Sequence, residues 1–376
     1  MSTTVNINPQ MLSWAITRAG KTLDDLITAL PKLPAWLNEE AQPTVKQLEA
    51  FSRKVHLPFG YLFLAQPPNE AIPFPYFRQG ERALQNKVSL NVFDTILNIQ
   101  QRQQWLSEYL QEEGHSPLPF VGRFTVKDSC DTICNDIRNT LGLHKEWAAD
   151  YRNNYHAMAA LVQHTEEAGV IVVINGIVGN STNRRIESEE CRGFVMVDKW
   201  APFLFINNTD AEGAKMFTLI HELAHIWLGK SAGFDTNNML PANDPVELLC
   251  DRIAAEFLVP KTSFETAWCH ENSFTILAKR FKVSKLVIAR RALDLDKISR
   301  AQFFKWYNQY KEEWQQIKAM RGGGDFYNNQ PNRVSLRFAA LVNRAVQTEK
   351  LSYRDAYRLT GLNGDSYQNF INKKLR

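Results

Sequence analysis

Three residues within one short run have the types and the spacing for metal chemistry. The segment MFTLIHELAHIWLG carries His221, Glu222 and His225. On a helix, residues i and i+4 share a face about one turn apart, so two imidazoles placed this way can bind one ion. Glu222 follows the first imidazole and lies within reach of a water on that ion. The flanking residues Phe217, Leu219, Ile220, Leu223, Ala224, Ile226 and Trp227 are apolar, as in a buried helix. Burying two histidines and a glutamate among them without partners is costly, and a metal removes that difficulty. The alternative is a pair of core histidines satisfied by backbone groups.

A catalytic zinc site takes three protein ligands and leaves its fourth position to water. Residues 245–258, PVELLCDRIAAEFL, read as a second helix that puts Glu247 and Asp251 on one face. Glu247 is the candidate third ligand. Asp251 can accept a hydrogen bond from the distal nitrogen of a ligand histidine. Pro260 ends the helix. Two independent segments thus predict one Zn2+ site of His221, His225 and Glu247, with Glu222 as catalytic base.

These helices need a frame. VIVVI (170–174), RGFVMV (192–197) and PFLFIN (202–207) are β-branched or aromatic runs between polar turns, which predicts a small sheet ahead of the HELAH helix. The run RGFVMV offers an edge along which an extended peptide substrate can pair. Residues 89–113, 126–142 and 145–168 read as helices, and helical periodicity returns at 212 and continues nearly to the end, interrupted by a glycine loop, RGGGD, at 321–325. Residues 9–65 read as five short helices opened by Pro9, capped by Thr22, carried through PAWLNEE, capped by Thr44 with Gln47, and opened again by Pro58. The proline-rich run QPPNEAIPFPYFR is an extended linker.

The run from GVIVVI through RGFVMV, FLFINN, FTLIHELAH and ELLCDRIAAEFLVP resembles the ImmA/IrrE family of metallo-endopeptidases over about residues 165–300. The resemblance implies a gluzincin-like site with His221, His225 and Glu247 as ligands and Glu222 as base, and Asp251 fits a position where that family has Asn or Asp. Cys250 stands where a small residue is usual and reads as packing. The N-terminal helices resemble a Cro/repressor-type helix-turn-helix through Trp14, Ala15, Gly20, the spacing from Trp36 to Thr44, and Gln47 to Glu49. They depart from it at Leu37 and Glu39, where an acidic residue and a glycine are usual, and Pro31 and Pro34 shorten the helix that would read DNA.

Charge bears on partners. The chain has 376 residues and a formal net charge of +4. Residues 1–77 carry six basic and six acidic side chains, whereas residues 299–376 carry fourteen and six. Attraction to nucleic acid or to an acidic partner therefore favours the rear of the chain; the alternative is a solvated basic surface. Residues 273–295 form a second helix-turn-helix-like pair whose Lys279, Arg280, Lys282, Lys285, Arg290 and Arg291 are candidate nucleic-acid contacts; the alternative is a bracing pair over the active-site helices. Five scattered cysteines, Cys130 and Cys134 among them, read as reduced thiols. No apolar run spans a bilayer and MSTTVNINPQ lacks a signal-peptide pattern, so a cytoplasmic location without membrane contact is expected.

The expected architecture is α+β and mostly helical. It comprises a five-helix helix-turn-helix domain at 1–78, a helical connector at 79–165, a zincin-like metallopeptidase core with a small β-sheet and basic helical pair at 166–300, and a basic helical C-terminal region at 301–376. The expected function is that of a regulatory zinc endopeptidase. The resemblance implies a protein substrate such as a repressor, or a toxin encoded nearby, in a mobile-element or toxin–antitoxin system. Two alternatives are a DNA-binding transcriptional regulator with a silent or structural zinc site, and an antitoxin-like interaction scaffold.

Overall fold

The computed structural model describes the backbone of residues 3–70, 72, 76–78, 81–82, 88–209, 212–235, 244–319 and 326–375. The predicted glycine loop at 321–325 lies outside the described residues. The chain divides into two compact units, one of Met1–Pro73 with Gln85–Asp94, the other of Phe74–Leu84 with Thr95–Arg376.

The first unit contains α1 (Pro9–Arg18), α2 (Leu23–Ile27), α3 (Leu33–Leu37), α4 (Val45–Lys54) and a 3-10 turn at Phe59–Phe63. Reciprocal caps start two of these helices. Thr22 accepts from the Asp25 amide while Asp25 accepts from the Thr22 amide, and Thr44 and Gln47 repeat the arrangement. Leu12, Ala15, Leu26, Leu33, Trp36, Leu48 and Phe51 bury together as the core. The helix expected to be short is five residues long. Glu39 has φ 62, the left-handed conformation that glycine adopts most easily.

The second unit runs through β1 (Tyr76–Arg78), β2 (Glu81–Arg82), α5 (Leu90–Glu112, which begins in the first unit), α6 (Cys130–Leu141), α7 (Asn154–Glu167), β3 (Ile171–Ile174), β4 (Gly193–Met196), β5 (Phe203–Ile206), α8 (Glu212–Leu228), β6 (Ala232–Asp235) and α9 (Pro245–Leu258). It continues with α10 (Lys261–His270), α11 (Phe274–Phe281), α12 (Lys285–Asp294), α13 (Arg300–Ala319), α14 (Phe326–Val334), α15 (Leu336–Gln347), α16 (Tyr353–Thr360) and α17 (Gly364–Lys374). This is an α+β, mostly helical protein. The helix expected over 145–168 is broken. A 3-10 turn at Trp147–Asp150 precedes α7, and the Asn153 side chain caps α7 by accepting from the His156 amide.

The sheet is larger than the three runs predict. Its order is β2-β1-β6-β4-β5-β3, with β3 parallel to β5 and β4 antiparallel to both β5 and β6. This corrects the expectation of a substrate-pairing edge at RGFVMV. The partner of β4 on that side is β6, in register Gly193 to Phe234, so both edges of β4 are already hydrogen-bonded. β3, β4 and β5 are buried along their whole lengths. Phe194 and Phe205 stack between neighbouring strands with ring centroids 4.8 Å apart. A single apolar core gathers residues of α6, α7, the sheet, α8, α9, α11 and α12, with Leu219, Leu223, Ile226, Leu249 and Ile253 among its fully buried members.

Candidate metal centre

The helix α8 is almost wholly buried from Met216 to Leu228. Its C-terminal carbonyls, which no helix can satisfy internally, are met by other segments. The Gly122 amide donates to Ile226 O at 2.9 Å and the Phe124 amide to Trp227 O at 3.0 Å. Gly229 (φ 66) turns the chain out of the helix, and the Lys230 amide returns to His225 O at 3.0 Å. Phe120 stacks on Trp227 at 4.3 Å, and the Trp227 indole donates to Asp136 at 2.8 Å. The turn bearing His225 is thus held from several directions.

The helix α9 meets α8 with its own fixed first turn. Asp244 is the N-cap; its side chain accepts from the amides of Val246 and Glu247 at 2.8 and 3.4 Å, and Pro245 follows at the first helical position. A carboxylate in the first turn is favoured by the helix dipole, and Glu247 occupies that place. At the other end, Arg138 on α6 donates to Glu256 O at 2.8 Å and Phe257 O at 3.2 Å, and Arg291 donates to Val259 O at 2.9 Å.

His221, His225 and Glu247 converge. The two Nε2 atoms lie 3.3 Å apart; His221 Nε2 is 3.1 Å from one carboxylate oxygen of Glu247, and His225 Nε2 is 3.2 Å from the other. Ligands about 2.1 Å from a tetrahedral zinc ion stand roughly 3.4 Å from one another, so these separations suit a shared ion. All three residues are 1% exposed. His221 Nδ1 lies 3.0 Å from Asp251 Oδ1. Donation from Nδ1 leaves the Nε2 lone pair free for a metal, the arrangement by which an outer carboxylate fixes a ligand imidazole.

Glu222 is 0% exposed, and neither of its oxygens has a hydrogen-bond partner; His225 Nδ1 has none either. An unsatisfied buried carboxylate is expensive, and a water held beside it by a cation would satisfy it. Three ligand atoms at coordination spacing and an orphaned carboxylate next to them therefore fit Zn2+. Burial raises the Glu222 pKa to about 8, with the Glu247 charge adding to the rise and His221 opposing it. Burial pushes Glu247 upward too, but hydrogen bonds from His221 and His225 outweigh it and hold that carboxyl well below its ordinary range. The Cys250 thiol is pushed well up by burial and by the neighbouring carboxylates, as suits a packing residue.

Gly193 in β4 is part of this site and was not foreseen. A Cβ there would stand 2.7 Å from the Thr218 methyl, 2.9 Å from Phe205 O and 3.3 Å from Glu222 Oε1. Only glycine lets the strand approach α8 this closely. Asp244 was also missed, although Asp followed by Pro ahead of a helix is a recognisable start signal.

Of the candidate nucleic-acid residues, Lys279 and Arg280 lie on α11, Lys282 caps its end, and Lys285, Arg290 and Arg291 lie on α12. Lys279 and Arg280 are exposed, while Lys282, Lys285 and Arg290 are half-buried, and Arg290 bonds Asp294 at 3.0 Å. Arg291 departs from the expectation of a solvent-facing contact. It is 8% exposed and pairs with Glu256 as well as Val259 O, because it serves the C-terminal end of α9. The turn between α11 and α12 lies against α8. A Cβ on Gly213 would fall 2.3 Å from the Ser284 amide nitrogen.

Among the described residues no helix is long and apolar enough to cross a membrane. A search of curated proteins finds no match to the chain. Residues 334–373 match a family described as a domain of unknown function, DUF8813. Residues 166–293 match the peptidase M78 family, described as the IrrE N-terminal-like domain. That stretch contains every residue of the site, and the match supports a metallopeptidase-like, zincin-type domain there.

Proposed function

We propose that the chain is a zinc-dependent endopeptidase that regulates a partner protein by cleaving it. The observation that carries this reading is the convergence of His221, His225 and Glu247 beside the unpartnered carboxylate of Glu222. The three residues would hold the ion, and three is the number of protein ligands that leaves a catalytic position open. The chemistry zinc supplies when bound is Lewis acidity, which polarises a scissile carbonyl and acidifies water. Glu222 takes the proton of the attacking water and delivers it to the leaving amine. Its buried setting favours holding that proton between the two events. Asp251 orients His221, and the Asp244 cap holds Glu247 in place.

The resemblance to ImmA/IrrE peptidases supports a repressor, or a toxin encoded nearby, as the substrate, in the cytoplasm and in a mobile-element or toxin–antitoxin setting. The N-terminal unit, with its neutral charge and shortened α3, serves contacts with that protein rather than autonomous DNA binding. The test is incubation of zinc-loaded full-length protein with the product of the neighbouring gene, followed by mass spectrometry of the fragments. Discrete cleavage by the wild type and none by Glu222→Gln supports the reading. Equal cleavage by both overturns it.

A further inference from the structure

The C-terminal helices carry a surface that the peptidase site does not use. The helix α16 ends at Gly361, whose φ of 69 turns the chain, and Leu362 is buried in the turn; α17 starts after Asn363. Two helices joined by a three-residue turn containing glycine have the form of a helix-turn-helix pair. Both pack on α15, with Phe338, Val342, Ala356, Leu359, Phe370 and Ile371 buried. This assembly is anchored to the rest of its unit. Glu166 on α7 accepts from Ser335 at the start of α15, Asn180 donates to Gly361 O at 2.9 Å, and Lys350 pairs with Glu113.

The outer face of α17 has no apolar side chain. Its buried positions are Tyr367, Phe370 and Ile371, and the opposite face exposes Asp365, Gln368, Asn369 and Asn372 at helical spacing. Carboxamide and carboxylate side chains are among those that read base edges in a major groove, Asn and Gln on adenine and Asp on the cytosine amino group. The helix has 11 residues, about 16 Å of length, a span that lies along a groove roughly 12 Å wide. Beside it, α16 exposes Arg354 and Arg358 one turn apart, and α17 ends with exposed Lys374. Of the two acidic side chains in the pair, Asp355 is engaged by Ser352 at 2.7 Å, and Asp365 alone is exposed. A polar reading face flanked by arginines is complementary to phosphate-lined DNA and not to an apolar protein groove.

We propose that α16 and α17 form a duplex-DNA-binding element, with Arg354 and Arg358 on phosphates and Gln368 and Asn369 on base edges. The pair α11–α12 makes the internal comparison, because its turn is packed against α8. The full-length protein is first used to select duplexes from a random pool of about 20 base pairs. Fluorescence anisotropy then measures its affinity for the selected and a scrambled duplex over a range of salt. Arg354→Ala with Arg358→Ala should lower affinity about tenfold and reduce the slope of log affinity against log salt by about 2. Gln368→Ala with Asn369→Ala should leave that slope in place and lose about tenfold in discrimination between the two duplexes. Lys279→Ala with Arg280→Ala should change affinity by less than the Arg354/Arg358 pair does. Circular dichroism confirms that each variant is folded. Absence of DNA binding by the wild type at low salt overturns the proposal. So does undiminished binding by folded Arg354/Arg358 variants, or a larger loss in the Lys279/Arg280 variant.

Discussion

Asp251 stands one helical turn beyond Glu247 on the same face of α9, and its Oδ1 is 3.0 Å from His221 Nδ1. The two carboxylates of α9 therefore grip the same imidazole from its two nitrogens. Loss of such an outer partner weakens metal affinity by about 10–100-fold without removing a ligand. Asp251→Ala is expected to fold, to bind zinc and to release it to a chelator at correspondingly lower chelator strength. Unchanged competition would show that Asp251 does not orient His221.

Gly193 admits β4 to the flank of α8. Gly193→Ala places a methyl against Thr218 and the Phe205 carbonyl, and overpacking of this kind costs about 1–3 kcal/mol. Urea denaturation of the full chain should show a lower midpoint. Adding Thr218→Ser removes the closest contact and should recover part of the loss. A midpoint equal to the wild type would show that the strand can move away from Glu222 at no cost.

Arg291 is expected to matter for stability. Removing it takes the ion-pair partner from the half-buried Glu256, whose carboxylate keeps the Lys261 amide, and Val259 O loses a donor as well. Arg291→Ala should destabilise the second unit by about 2–4 kcal/mol, whereas the exposed Lys279→Ala should stay within about 0.5 kcal/mol. Thermal unfolding followed by circular dichroism distinguishes the two. Equal, small effects would return Arg291 to the solvent-facing role that its sequence context implies.

Glu39 adopts a left-handed conformation at a position where a side chain is strained. Glu39→Gly should stabilise the first unit by about 0.5–1 kcal/mol. Slower hydrogen exchange of the α4 amides in the full chain is the expected readout, and unchanged or faster exchange would contradict it.

What the sequence made legible follows from how local each signal is. The i, i+4 spacing in HELAH and the Glu247–Asp251 pair are periodicities of single helices, and the structure brings both faces together. The caps at Thr22 and Thr44 are likewise local. The strands β1, β2 and β6 were invisible because YFR, ER and AGFD lack the unbroken β-branched or aromatic runs that mark β3 and β5, and β1 emerges from a proline-rich run. Their place in the sheet depends on pairing between distant segments, which no local pattern encodes. The same cause hid the occupied edge of β4 and the need for glycine at 193. Arg291 misled because a basic run reads as a solvated face; its role depends on the end of α9, more than thirty positions away.

The most direct test of the central claim is metal analysis of the purified full-length protein. Inductively coupled plasma mass spectrometry should find one zinc per chain in the wild type and in Glu222→Gln. It should find little or none in the His221→Ala, His225→Ala double variant, whose fold is checked by circular dichroism. Undiminished zinc in that folded double variant would contradict the site described here.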